Sequence, residues 1–432
     1  MTFLLVLAAL LALLYTGIPM FAGMFLFSVG VLLATEGTIA TLGDIVFGNI
    51  DKYLLVAIPL FMLMAHFMVR GKVVDDLYDT AHTLVRHLPG GLGVATVIAC
   101  AIFAAISGSS VATALTIGKV AIPQMLKYGY DPRGAYGAVA GGGTLGILIP
   151  PSAPMVLYGF VSDTSIGALF VAGVIPGVLL AAIFAAYCMI SEGWRAKRLG
   201  AAAPRQARAT LAEAGAAVRR SFWALTLPPF VLLGIYFGVF TATEAAGTGA
   251  LWALFIAAIV YRNFGWRDLW RGAEDAARTS AMLFMIIVGA ALFGYMLTKL
   301  RIPQEAVELA VRWGVTPTQF LIAAMVLIFV LGLVLESVSI ILITTPVVLP
   351  VMKTLGIDPI WYGVLLTINL ELALISPPVA LNLVVIKSIT GAPLKDIDRA
   401  AVPYMIMMAA FIGLIIAFPG IATWLPSTMF GR

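Results

Sequence analysis

The chain has 432 residues, of which 62% are apolar and 11% charged, against roughly 25% charged in an ordinary soluble domain. A mean hydropathy of +1.05 leaves too little polar surface to cover a globule, and apolar runs reach the ~20 residues that cross a bilayer core as a helix. The composition excludes a soluble fold, and the net charge of +5 reads as basic loops that set membrane orientation rather than as a nucleic-acid surface.

In chain order, transmembrane spans are predicted at about 2–14, 16–34 and 52–70. The chain opens Met-Thr-Phe-Leu-Leu without a basic n-region, so the first span reads as a retained helix. A charged stretch at about 70–89 holds His82 and His87 and reads as an amphipathic interfacial helix, its imidazoles solvated or among headgroups. A long apolar stretch at about 92–125 is interrupted by Ser107-Gly108-Ser109-Ser110, and spans follow at about 135–160 and 167–191. A basic segment from Glu192 to Arg220 carries Arg195, Lys197, Arg198, Arg205, Arg208, Arg219 and Arg220, with Gly200 to Pro204 linker-like. Spans at about 223–241, 243–261 and 279–298 lead to a second interrupted stretch at about 318–350, broken at Glu336-Ser337, and to spans at about 361–387 and 401–425. Cys100 and Cys188 lie far apart in apolar segments and read as core thiols.

Internal symmetry organises these elements. Adding 227 superposes Pro123 on Pro350, Gly129 on Gly356, Asp131-Pro132 on Asp358-Pro359, Pro150-Pro151 on Pro377-Pro378 and Pro176 on Pro403, without a gap. A Pro-Pro pair inside an apolar run breaks a helix, and two such pairs in register imply two copies of one structural unit. The predicted organisation is a first repeat at 1–191, a cytoplasmic basic linker at 192–222 and a second repeat at 223–432. The interrupted stretches read as re-entrant hairpins, since non-helical backbone at membrane depth is tolerated where it lines a cavity; two ordinary crossings joined by a tight turn would also fit. The fold class is an all-α polytopic membrane protein of ten spans plus two hairpins. The positive-inside rule places Arg195 to Arg220, Arg262 to Arg278, Arg70, Lys72 and Arg86 in the cytoplasm. Counting crossings then puts the second hairpin's loops and both termini outside, so the repeats are expected to be inverted.

Each repeat offers a polar tip and a broken helix, whose mid-membrane ends expose unpaired N–H and C=O groups. Carbonyls and hydroxyls suit a small cation, and helix N-termini suit an anion. Two pseudo-symmetric cation sites are expected: Ser107, Gly108, Ser109, Ser110, Gly146, Pro150 and Ser152 in the first, and Glu336, Ser337, Ser376, Pro377 and Asn382 in the second. Ser109, Ser152, Ser376 and Asn382 are expected to face the substrate. The same small residues would also serve close helix packing. Glu336 and Glu371 stand in apolar runs, where a charge costs roughly 3 kcal/mol; Glu336 reads as a helix cap or a cation ligand, and Glu371 as a brace for unwound backbone. Gly141 to Gly146 matches G-x-G-x-x-G formally, but no strand precedes it and it reads as close-packing glycine. No nucleophile–base pair points to an enzyme.

With these residues in hand, the chain resembles the large membrane subunit of tripartite ATP-independent periplasmic (TRAP) transporters, the DctM type, over almost its whole length. The resemblance rests on Ser107-Gly-Ser-Ser110, Gly143-Thr-Leu-Gly-Ile-Leu-Ile-Pro-Pro-Ser152, and Ile368-Asn-Leu-Glu371 followed by Ser376-Pro-Pro-Val-Ala-Leu-Asn382. Family members often read threonine and glycine at positions 376 and 380, so Ala380 would tighten or shift the second site. The resemblance implies sodium as coupling ion with no other cofactor, an organic anion substrate such as a carboxylate or sulfonate, and an elevator motion. It also implies a small four-helix DctQ-type membrane subunit and a soluble periplasmic substrate-binding protein as partners, in the bacterial inner membrane. A stand-alone symporter of the same architecture is the competing expectation.

Overall fold

A computed structural model describes residues 2–429 apart from 39, 71–72 and 199–206; Lys72, Arg205 and the stretch 200–204 lie outside the described residues. Among the described residues the chain is helical throughout, with no strand. Helix boundaries recur at the predicted offset, Ser110–Lys127 returning as Ser337–Thr354 and Pro132–Leu148 as Pro359–Leu374. Local chemistry explains the shared starts: Pro132 and Pro359 each occupy the first helical turn, where a missing N–H costs nothing. Asp358 adds a cap, its carboxylate accepting the Ile360 N–H at 2.7 Å.

Both interrupted stretches fold as helical hairpins. Gly91–Ser107 and Ser110–Lys127 meet at Gly108-Ser109, and Pro317–Gly332 and Ser337–Thr354 meet at 333–336. The first arms have 17 and 16 residues, which at ~1.5 Å per residue fall short of a ~30 Å hydrocarbon core. Both predicted broken helices are broken, Pro132–Leu148 from Ala153–Ser162 and Pro359–Leu374 from Leu381–Thr390, and both Pro-Pro peptide bonds are cis.

Among the described residues 7 helical segments are long and apolar enough to cross a membrane: six of the ten expected spans, the first broken helix being counted across its break as Pro132–Ser162, and one hairpin arm. Thr2–Tyr15 and Met20–Glu36 have only 14 and 17 residues. Leu211–Tyr236 carries Glu213, Arg219 and Arg220 in its first half, and the second broken helix is divided into halves of 16 and 10 residues. Elsewhere helices outrun the expected spans. Ile166–Arg198 has 33 residues and takes in Glu192 to Arg198, so the gap before Leu211 is narrower than the predicted linker. Trp266–Lys299 has 34 residues, and its polar start is tied to the end of Ala57–Arg70 by Arg70, 2.9 Å from Asp275.

Two packing groups position the site. Ala57–Arg70 lies between Ala242–Phe255 and Trp266–Lys299, and the hairpins pack on the broken helices. The second arm of each hairpin also packs on the short half-helix of the other repeat: Ser110–Lys127 on Leu381–Thr390, and Ser337–Thr354 on Ala153–Ser162. Glycines allow the closest approaches between repeats. A Cβ on Gly137 would lie 2.6 Å from the Ala400 oxygen, and one on Gly141 would run into the Tyr404 ring. The triple glycine is thus a packing surface.

The helix Val73–Val85 corrects one expectation. Its face of Val73, Val74, Leu77, Tyr78, Thr80 and Ala81 is buried against Gly91–Ser107 and Leu211–Tyr236, and Thr80 lies 2.7 Å from Ser221. His82 is half-buried and packs toward Tyr128, and burial lowers its pKa from the usual value. The amphipathic pattern was real, but its apolar face meets protein.

Candidate functional site

The first tip forms where Gly108 ends one arm in the left-handed region, φ +59, and Ser109 caps the next by accepting the Ala112 N–H at 3.4 Å. Ser107 Oγ lies 2.9 Å from Thr113 Oγ1, which donates to the Ser109 oxygen at 2.8 Å. This tip is pressed onto the broken helix. A Cβ on Gly108 would sit 2.5 Å from the Pro151 oxygen and 3.4 Å from Ser152 Cα, and one on Gly146 would sit 2.6 Å from Ser109 O, Ser110 Cα and Ser110 N. Only glycines permit backbone to meet backbone this closely. Ser107, Gly108, Ser109, Ser110, Gly146 and Ser152 are therefore brought together. Pro150 packs instead toward Gly173 of Ile166–Arg198.

Ser110 is the node of the site. Its Oγ lies 3.0 Å from the Gly143 oxygen and 2.8 Å from Glu371 Oε2, and Asn382 Nδ2 donates to it at 2.6 Å. Glu371 Oε1 in turn accepts the Ile147 N–H at 3.1 Å, in the last turn before the first break. Ser110, Glu371 and Asn382 are almost completely enclosed, and Asn382 Oδ1 has no hydrogen-bond partner among the described residues. Glu371, expected to brace the unwound backbone of its own break, instead meets the last helical turn before the break of the opposite repeat.

The second constellation is assembled differently. Glu336 stands at the start of Ser337–Thr354 without capping it, and its carboxylate accepts from Ser339 Oγ at 3.3 Å. Ser376, just past the end of Pro359–Leu374, donates back to the Leu372 oxygen of that helix at 2.6 Å. Pro377, Pro378 and Val379 are exposed, whereas Pro150, Pro151 and Ser152 are buried. Asn382, expected with Ser376 and Pro377, has its amide on Ser110 of the first tip. The reason is packing, since Leu381–Thr390 lies against Ser110–Lys127 and points its first turn at that tip. Where contact is made beside the second break, Gly332 is close to Ala373. Of the four residues expected to face substrate, Ser109, Ser152 and Ser376 have local hydrogen bonds, Ser152 accepting the Met155 N–H at 3.3 Å.

Sequence reasoning left Thr113 and Gly143 out of the site. A second hydroxyl one helical turn beyond Ser109 could have flagged Thr113; the Gly143 carbonyl carries no sequence signal. Ala380 adopts φ +42 and ψ +58, a left-handed conformation that favours glycine.

The chain matches the family described as "Tripartite ATP-independent periplasmic transporter, DctM component" over residues 7–421. It is 39% identical to the C4-dicarboxylate TRAP transporter large permease protein DctM of Pseudomonas aeruginosa, covering 92% of each chain. It is 38% identical to the protein of the same name from Rhodobacter capsulatus, covering 99% of this chain and 100% of the other. The isethionate TRAP transporter permease protein DctMQ of Oleidesulfovibrio alaskensis is 33% identical, and the match spans 94% of this chain and 64% of that one. Other similar permeases are named for ectoine and for sialic acid. Among solved structures, the Alcanivorax borkumensis YdaH transporter has a TM-score of 0.65 at 14% identity, covering 89% of each chain, a likeness of fold.

Proposed function

Because the chain belongs to the DctM family and is a large permease subunit of a TRAP transporter, we propose that it imports an organic anion, a carboxylate or sulfonate, driven by sodium. The observation that carries the reading is the enclosed oxygen cluster where the first tip meets both broken helices. Serine and threonine hydroxyls, the Ser109 and Gly143 carbonyls and the spare Asn382 Oδ1 are the hard donors a small cation takes. The second tip and break, at Glu336, Ser337, Ser376 and Pro377, would supply the pseudo-symmetric counterpart. Substrate would sit between the two, reached by an elevator movement of hairpins and broken helices against the group around Ala57–Arg70. In this reading the chain lies in the inner membrane with inverted repeats and both termini periplasmic. It would work with a small DctQ-type subunit, which the longer DctMQ relative supports, and with a periplasmic binding protein that selects the anion.

Uptake by proteoliposomes tests this, using the chain with its small membrane partner, an inward sodium gradient, and the cognate binding protein present or absent. Uptake that needs both sodium and the soluble protein is expected. Sodium-driven uptake without that protein would replace the tripartite reading by a stand-alone symporter, and uptake indifferent to sodium would reject the coupling ion.

A further inference from the structure

We propose that Glu371 is a positioning residue by which the second repeat holds the first hairpin tip in place, and that it acts through hydrogen-bond geometry and not through its charge. The proposal deepens the transport reading, since the tip it holds is the candidate cation site. One side chain of Pro359–Leu374 reaches both halves of the first constellation, Ser110 on the hairpin and Ile147 on the broken helix, at 2.8 and 3.1 Å. Asn382, beyond the second break, meets the same Ser110 hydroxyl. Among the described residues nothing equivalent runs the other way. At the 227 offset Glu371 corresponds to Thr144 and Asn382 to Met155, and Thr144 bonds only to Gly141 of its own helix, at 2.6 Å.

Donor counting indicates what the position requires. Ser110 Oγ has one proton to give and two lone pairs. If it donates to the Gly143 oxygen it can accept from Asn382 and from one further donor at position 371, which Glu371 supplies as the neutral acid through its O–H. An amide there meets both contacts: one N–H reaches Ser110 and its oxygen accepts from Ile147. An acid one methylene shorter keeps the ionisable carboxyl group but falls short of spanning both contacts.

The test compares Glu371→Ala, Glu371→Gln and Glu371→Asp in the complex with its small membrane partner, by hydrogen–deuterium exchange and by uptake. Glu371→Ala is expected to speed exchange about tenfold or more across 107–113 and 144–149 of the first repeat, while 337–345 keeps its protection. The sodium concentration for half-maximal uptake should rise about tenfold. Glu371→Gln is expected to restore both, and Glu371→Asp to resemble alanine. Rescue by Asp with failure of Gln would overturn the proposal in favour of a charge role. Faster exchange spread evenly over both repeats would reduce Glu371 to general packing. If Glu371→Ala does not fold, the contrast between Gln and Asp still decides. Exchange is read without any gradient, so failure of sodium coupling and failure of this proposal are distinguishable.

Discussion

Replacing Gly146 by alanine tests whether the close approach of the first tip to the broken helix matters. The new Cβ would lie 2.6 Å from Ser109 O, Ser110 Cα and Ser110 N, all backbone atoms. An ordinary contact needs about 3.4 Å or more, so tip and helix must part by roughly 0.8 Å, at the ~1–3 kcal/mol typical of overpacking. A shift of that size lengthens the Ser110 contacts, now 3.0 Å to Gly143 and 2.8 Å to Glu371, beyond good hydrogen-bond range. If the tip holds the coupling cation, 1–3 kcal/mol corresponds to a rise of about 5- to 150-fold in half-saturating sodium. The assay is sodium-dependent uptake in proteoliposomes at matched incorporation, with Gly413→Ala as control because a Cβ there meets nothing within 4 Å. Unchanged uptake and sodium dependence in Gly146→Ala would refute the assignment of this contact to the transport site.

Gly141→Ala forces a Cβ into the Tyr404 ring and should lower thermal stability by about 1–3 kcal/mol, read as a fall in Tm of the purified protein. Asn369→Ala removes the 2.7 Å hydrogen bond to the Met325 oxygen, leaving a buried carbonyl short of a partner at a cost of about 1–3 kcal/mol in the same measurement. Ala380→Gly relieves a left-handed alanine worth ~1–2 kcal/mol, so it should leave Tm unchanged or raised, unlike glycine substitution inside a helix. Cysteines at Lys127 and Lys353, at the ends of the two equivalent hairpin arms, should label from opposite membrane faces if the repeats are inverted; labelling from one face would reject inversion.

What the sequence shows and hides follows the range of the interactions. Pro-Pro pairs, Asp-Pro starts and serine-rich interruptions act within a turn or two, so the breaks and tips were legible residue by residue. Helix ends were less so. Arg195 to Arg198 looked like a loop because charge ends an apolar run, yet Ile166–Arg198 continues through them, with Arg195 paired to Glu192 at 3.0 Å. Least legible were contacts across the fold. That Glu371 answers Ser110, 261 positions away, or that Asn382 leaves its own break for the opposite tip, depends on how half-helices cross between repeats. No spacing rule records that.

The two repeats share boundaries but not exposure, and the bilayer turns that difference into a test. Val379 is 41% exposed in the second break, while Ser152, its equivalent in the first, is 1% exposed. Exposed non-helical backbone cannot face lipid, because its polar groups would go unsatisfied in hydrocarbon. Pro377 to Val379 must therefore face water or a partner protein. Cysteine at position 379 should react with a small membrane-impermeant thiol reagent in proteoliposomes, or be protected only when the partner subunit is present, and cysteine at 152 should stay unreactive. The native Cys100 and Cys188 are both buried and give a quiet background. Reaction of Val379→Cys with a lipid-soluble reagent alone, with or without the partner, would mean that this break faces the hydrocarbon and would sink its assignment to a water-lined substrate path.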